Sequence, residues 1–193
     1  PTGHVRTYVR IPDGETFSYT TWLDNISDGR TFATNGPLIK TFTVDGANPG
    51  DSLTFANSAT ETLDIVLDFE SGWPVNHVDY LVNGTRVGGK VFTPASTAWD
   101  TTDTVTIEHG GGWVSAYLAG DYVGRIMGAD SLFALTSPIY YTMDGMRPNN
   151  TASAESLEVE CDRAIVFIDS MSVAADFSSP EESSRVIALI QAA

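Results

Sequence analysis

Residues 29–51 read GRTFATNGPLIKTFTVDGANPGD, and the fold follows from this stretch. Asn35-Gly36-Pro37 makes a tight turn. From Lys40 to Val44, threonine alternates with apolar residues, the two-residue period of a strand with one wet face. Asp45-Gly46 closes that strand, and Asn48-Pro49-Gly50 turns the chain again. Asn-Gly and Asp-Gly supply the positive φ that most side chains resist. Just upstream, residues 18–27 read as a short helix. Ser18 caps it, Trp22, Leu23 and Ile26 share a face, and Gly29 ends it in the left-handed region. Trp22 is expected in the core, as a large aromatic on an apolar face. Residues 1–12, with Val5, Tyr8, Val9 and Ile11, form a first strand closed by Pro12-Asp13-Gly14.

Downstream the two-residue period continues. Residues 52–56 make a short strand. In residues 62–69, Leu63, Ile65, Leu67 and Phe69 fall on one side, and Thr62, Asp64, Val66 and Asp68 on the other. Val78, Tyr80 and Val82 lead into Asn83-Gly84, the strongest short hairpin signal. Residues 104–108 and 113–118 are further strands separated by the flexible Gly110-Gly111-Gly112, and 137–143 is the last. Short strands divided by turn residues, with no helices of the βαβ kind between them, predict an antiparallel, immunoglobulin-like β-sandwich. The fold class is therefore mainly β, with a short N-terminal helix and a two-helix tail. Residues 146–156 read as a linker. Beyond it Leu157, Cys161, Ala164, Ile165, Ile168, Met171 and Ala175 keep helical spacing. Ser179-Pro180-Glu181-Glu182 opens a second helix with a cap, a first-turn proline and first-turn acids. Three regions result: a boundary segment at 1–39, a sandwich at 40–145, and a linker with C-terminal helices at 146–193. The helices each carry an apolar stripe and are expected to dock on the sandwich or on each other, burying Ile165, Ile168, Val186 and Ile190 in one structural unit.

The chain has 193 residues and 42% hydrophobic content, enough to fill a core. Its 25 acidic residues against 10 basic ones leave a net charge of −15. Such a surface repels nucleic acid and anionic membranes, so neither is an expected partner. A solvated acidic surface is the plain reading, and a cationic partner is the alternative. No apolar run reaches the roughly 18–20 residues that span a bilayer, and the first ten residues lack the apolar centre of a signal peptide. The chain itself is expected to be soluble. The single cysteine, Cys161, excludes an intrachain disulfide and reads as a small buried hydrophobe.

Residues that could carry chemistry are sparse. His4, His77 and His109 lie far apart, and none sits in an H-x-H, D-x-H or H-E-x-x-H setting. No catalytic residue, metal ligand or cofactor-binding residue is assigned. The triple glycine is followed by Trp113 rather than by Lys-Ser/Thr, so it reads as a hairpin loop and not as a phosphate cradle. Asp64 with Asp68, and Asp100 with Asp103, are the pairs expected by chance in so acidic a chain. The sequons at Asn25, Asn83 and Asn149 read as incidental.

The block GR-x-F-x-TNGP followed by PGD resembles the segment after the catalytic domain in the CehA/McbA family, carbaryl-hydrolase-like relatives of the PHP phosphoesterases. Gly3 to Val9, GHVRTYV, resembles the point where that family's chain leaves its catalytic barrel. Ser137-Pro138-Ile139-Tyr140 and the two-helix tail are similar as well. In the family the barrel holds its metals with paired-histidine and Asp-x-His motifs. Those motifs are absent here, so the hydrolase activity does not carry over. The resemblance implies a non-catalytic accessory domain that packs on the barrel, in the same polypeptide or a partner chain, and walls its substrate cleft. It also implies an apolar surface around 3–9 and 32–38, which in the isolated chain would support a weak homodimer. Arg30 and Asn35, polar residues inside the block, have two readings. They either face that cleft or serve structure, Arg30 capping the helix end and Asn35 making the turn. The function alternative of a different class is a free-standing binding module, for carbohydrate for instance, using Trp99, Trp113 or Tyr117 as a stacking platform.

Overall fold

The structure is a computed structural model describing residues 5–56, 59–121, 131–146, 151–172 and 180–191. It is mainly β, an antiparallel sandwich with helices near both ends of the sequence. Its elements are β1 (Arg6–Val9), α1 (Tyr19–Ser27), β2 (Thr31–Thr34), β3 (Leu38–Val44), β4 (Ser52–Phe55), β5 (Thr60–Val82), β6 (Thr85–Glu108), β7 (Gly111–Asp121), β8 (Ser131–Thr136), β9 (Ile139–Met143), α2 (Thr151–Ser172) and α3 (Pro180–Gln191). Contacts divide the chain into two compact units, Pro1–Pro148 and Asn149–Ala193. In the second, α2 and α3 lie against each other.

The sequence predicts short strands, yet β5 and β6 form a single hairpin of 23- and 24-residue strands. The strand expected at 104–108 is only the last part of β6. The two legs are kept in one ladder by irregularities rather than broken by them: the register shifts between Glu70 and Val75 and again before His77. Bulges of this kind bend a strand and increase its twist. Before the bend, β5 pairs with β3 from Ile65 to Glu70; after it, β5 pairs with β7 from His77 to Val82. The hairpin thereby serves both layers, a known way to turn the corner of a sandwich. The path runs β1-β2-β8-β7-β5-β3 and does not close. β9 shares with β8 the edge of β7 that β5 leaves free. β4 pairs parallel with β9, the one parallel ladder among the described residues of a sheet expected to be antiparallel.

The core follows the alternation. Leu63, Ile65, Leu67 and Phe69 are fully buried, facing Val105 and Ile107 of β6 and Val114, Ala116 and Leu118 of β7. Three two-residue turns have positive φ at both central positions: Asp45-Gly46, Asn83-Gly84 and Asp144-Gly145. The last was not read from the sequence. Two strands, β2 and β8, were not either. The triple glycine is also less of a break than expected: Gly110 bends with φ +141, but Gly111 and Gly112 belong to β7. Likewise α2 begins at Thr151, inside the expected linker. The Ser179 cap lies outside the described residues.

α1 matches its expected limits, with Thr21 N–H donating to Ser18 Oγ and Gly29 at φ +73. Its face is rotated from the expectation. Trp22 is half-buried, Leu23 is 41% exposed, and the residue that goes inward is Asn25, 2% exposed. Asn25 is buried because both ends of its amide are used. Its Nδ2 donates to the Thr21 carbonyl at 2.8 Å, and its Oδ1 accepts from Arg30 at 2.8 Å.

Two buried side chains among the described residues carry an unmet polar group, Ser115 and the larger Tyr80. Tyr80 is fully buried, and its hydroxyl has no hydrogen-bond partner among the described residues. Burial above all, with the Asp103 carboxylate adding to it, pushes the phenol well above its ordinary range. Tyr80→Phe is therefore expected to raise stability by about 1 kcal/mol, since it removes a desolvated hydroxyl without opening a cavity. The sign with pH is fixed too. A raised folded-state pKa means the native state holds its proton more tightly, so stability is intact below the ordinary tyrosine value of about 10 and falls as pH rises beyond it. Urea unfolding at pH 7 and pH 10.5 should show this fall reduced in the variant; equal stability of the two proteins at both pH values would refute it.

Candidate binding cleft

The 29–51 block is a packing node. The Asn48-Pro49-Gly50-Asp51 turn lies directly on the C-terminal end of α1. Asp51 N–H donates to the Asn48 carbonyl at 2.9 Å, and Asn48 N–H donates back to Asp51 Oδ2 at 2.8 Å. Gly50, at φ +91, approaches so closely that a Cβ there would fall 1.7 Å from the Asp28 carbonyl oxygen. The Ser137-Pro138-Ile139-Tyr140 segment closes the same node. Gly50 N–H donates to the Pro138 carbonyl and Tyr140 N–H to the Asp51 carbonyl, both at 2.9 Å. Thr31 and Ser137 hydroxyls meet at 2.6 Å.

The two residues singled out from the sequence sit here with protein partners. Arg30 donates to Asn25 Oδ1 and lies 3.7 Å from Asp28 Oδ2, at the end of α1. Asn35 extends the β2–β8 ladder with its side chain: Nδ2 donates to the Ser131 carbonyl at 2.8 Å, and Oδ1 accepts from Phe133 N–H at 2.7 Å. Arg30 also lines a cleft; Asn35 does not.

That cleft, about 490 Å³, is the gap left because the sheet does not close. β1 and β2 form one wall and β3 the other, the two ends of the strand path. Tyr8 and Phe32 stack on the first wall, their rings 5.1 Å apart and 5° from parallel. Ile39 and Phe42 line it from β3, and Thr31, Thr41, Thr43 and Thr136 complete the lining. Its volume falls within the range of small-molecule sites.

Three of the chain's ten cations, Arg10, Arg30 and Lys40, line this cleft, with Asp13 as its carboxylate. Lys40 is committed elsewhere: Glu70 at 2.9 Å and Asp68 at 3.0 Å hold its ammonium above the ordinary lysine range. Arg30 is shared with Asp28. Arg10 differs, since its guanidinium donates to Asn48 Oδ1 and has no carboxylate within 4.0 Å among the described residues. Sequence reasoning missed Tyr8 and Arg10 as a pair. Their spacing of two along an extended segment was the available signal, because it puts both on one face.

The other sequence candidates do not converge. His77 Nε2 lies 3.5 Å from Asp79 Oδ2, and Arg86 Nε donates to the other oxygen, Asp79 Oδ1. His109 sits at the bend before β7 and donates its backbone N–H to Ala59. His4 lies outside the described residues. Among the described residues no three His, Cys, Asp or Glu side chains are grouped to hold a metal, and no helix is long and apolar enough to cross a membrane. Trp99 faces inward, packed edge-on to Phe92 at 5.3 Å, and so offers no platform. Trp113 and Tyr117 lie on the outer face of β7, with Tyr140 paired beside Trp113.

Compared with protein-family models, curated proteins and solved structures, the chain matches none.

Proposed function

We propose that this chain is a non-catalytic accessory domain that packs on the catalytic barrel of a CehA/McbA-like, metal-dependent hydrolase, in the same polypeptide or as a partner chain. The observation that carries the reading is the apolar surface at the N-terminal elements. α1 lies against β1, and this neighbourhood exposes Val5, Tyr8, Phe17, Tyr19 and Leu23; Phe17 is 72% and Tyr19 73% exposed. In so acidic a chain, exposed apolar side chains on and beside two touching elements suit a protein interface. The resemblance of the 29–51 and 137–140 segments supplies the kind of partner. Arg30 and the cleft beside it would then lie near the barrel's substrate.

Two measurements test this. Purified chain, supplemented with divalent metals, should hydrolyse phosphoesters, carbamates and simple esters no faster than a buffer blank; metal-dependent turnover would overturn the non-catalytic reading. Sedimentation velocity should show weak self-association that a Phe17→Ser/Tyr19→Ser double variant abolishes. Unchanged association in that variant would remove the interface from this surface.

The outer-face aromatics Trp113, Tyr117 and Tyr140 favour a second reading, a free-standing carbohydrate-binding module. Aromatic faces of this kind stack on sugar rings. Affinity electrophoresis through gels containing soluble polysaccharides separates the readings: retardation lost on Trp113→Ala supports the module, and unretarded migration in every gel supports the accessory domain.

A further inference from the structure

We propose that the cleft between β1–β2 and β3 binds a small organic monocarboxylate with a flat apolar body, Arg10 taking the carboxylate. The inference needs neither functional reading above.

Charge selects the head group. The chain carries −15, so cations are scarce, and each described cation around the cleft except Arg10 is answered by a carboxylate. Arg10 uses its guanidinium on a neutral acceptor, Asn48 Oδ1, which leaves its charge and further N–H donors for a ligand. A planar fork of donors matches a carboxylate. One free positive charge, with the Asp13 carboxylate among the lining residues, suits one negative charge. A phosphate dianion would need more cations than the cleft has free.

Shape selects the body. The Tyr8–Phe32 stack is a flat apolar wall, and Phe42 lies on the side of β3. Tyr8 is 38% exposed and Phe42 is nearly buried, so an aromatic or similarly flat group would stack against the Tyr8 side. About 490 Å³ lies in the range of small-ligand sites.

The test is an NMR titration of the ¹⁵N-labelled full chain with phenylacetate, its neutral analogue 2-phenylethanol, and inorganic phosphate. Phenylacetate should give saturable shifts confined to the amides around Tyr8, Arg10, Phe32 and Thr41. The alcohol should bind about tenfold more weakly, the scale of a charge-assisted hydrogen bond. Phosphate should give no saturable shift there. Arg10→Gln should weaken phenylacetate about tenfold and bring acid and alcohol level. Asp13→Asn should tighten it, and Arg6→Gln, four residues upstream in β1, should leave it unchanged. If Arg10→Gln does not fold, Arg10→Lys decides instead by keeping the preference for acid over alcohol. Absent or displaced shifts, an alcohol that binds as well as the acid, phosphate binding as tight, or an Arg10→Gln protein that binds as wild type would each overturn the proposal.

Discussion

Gly50→Ala is expected to destabilise the protein by about 2–5 kcal/mol, while Gly46→Ala, four residues earlier, costs only about 1 kcal/mol. Both glycines have positive φ, +91 and +78, so both substitutions carry the backbone strain of a side chain in the left-handed region. The difference is space. A Cβ at Gly46 meets nothing within 4 Å. At Gly50 it would overlap the Asp28 carbonyl oxygen at 1.7 Å and approach the Gly29 carbonyl carbon at 3.2 Å. These are backbone atoms at the end of α1, so no rotamer change relieves the clash. The turn must lift off the helix, and with it go the Gly50–Pro138 and Tyr140–Asp51 hydrogen bonds. Urea unfolding of both variants, compared at constant m, measures the gap. Equal losses would show that the close approach costs nothing beyond φ.

That contrast marks how far the sequence could be read. Turn chemistry was legible, since Asp45-Gly46 and Asn83-Gly84 adopt the positive φ that these dipeptides favour. So was the alternating core face of β5, because a two-residue period with Leu, Ile, Leu and Phe has one physical meaning. Strand length was not. The stretch from Gly88 to Asp103 lacks a clean alternation, and a strand lying partly on an exposed face need not have one. It is held in the sheet by pairing to β5 rather than by its own pattern. The inward turn of Asn25 was equally hidden. Pattern reading puts Leu23 inside, whereas the buried position goes to the residue whose amide satisfies Arg30 and Thr21 together. For the cleft, the 29–51 block pointed to the right neighbourhood and to Arg30. Arg10 stayed hidden because its significance lies in the carboxylates that are not near it, and no local pattern encodes that.

The second large effect belongs to Phe69→Ala, expected to cost about 3–5 kcal/mol, against less than about 1.5 kcal/mol for Phe69→Leu. Phe69 is fully buried, and its register partners are Ile39 on β3 and Trp99 on β6. It also contacts Phe92 edge-on at 6.2 Å, and Phe92 in turn meets Trp99 at 5.3 Å. The position is mechanically exposed: one residue later the register slips and β5 begins to leave β3 for β7. Removing the ring opens a cavity at the corner that couples the two layers, where neighbours fixed by pairing on both sides of β5 have little freedom to collapse into it. Because β5 and β6 run through both layers, the loss should fall on a single cooperative transition rather than on one layer. Denaturant curves followed by tryptophan fluorescence and by far-ultraviolet circular dichroism should therefore shift together, with m unchanged. If the two probes separate in the variant, the layers unfold independently and the hairpin does not couple them. A loss below about 1 kcal/mol would mean that the corner repacks around the missing ring.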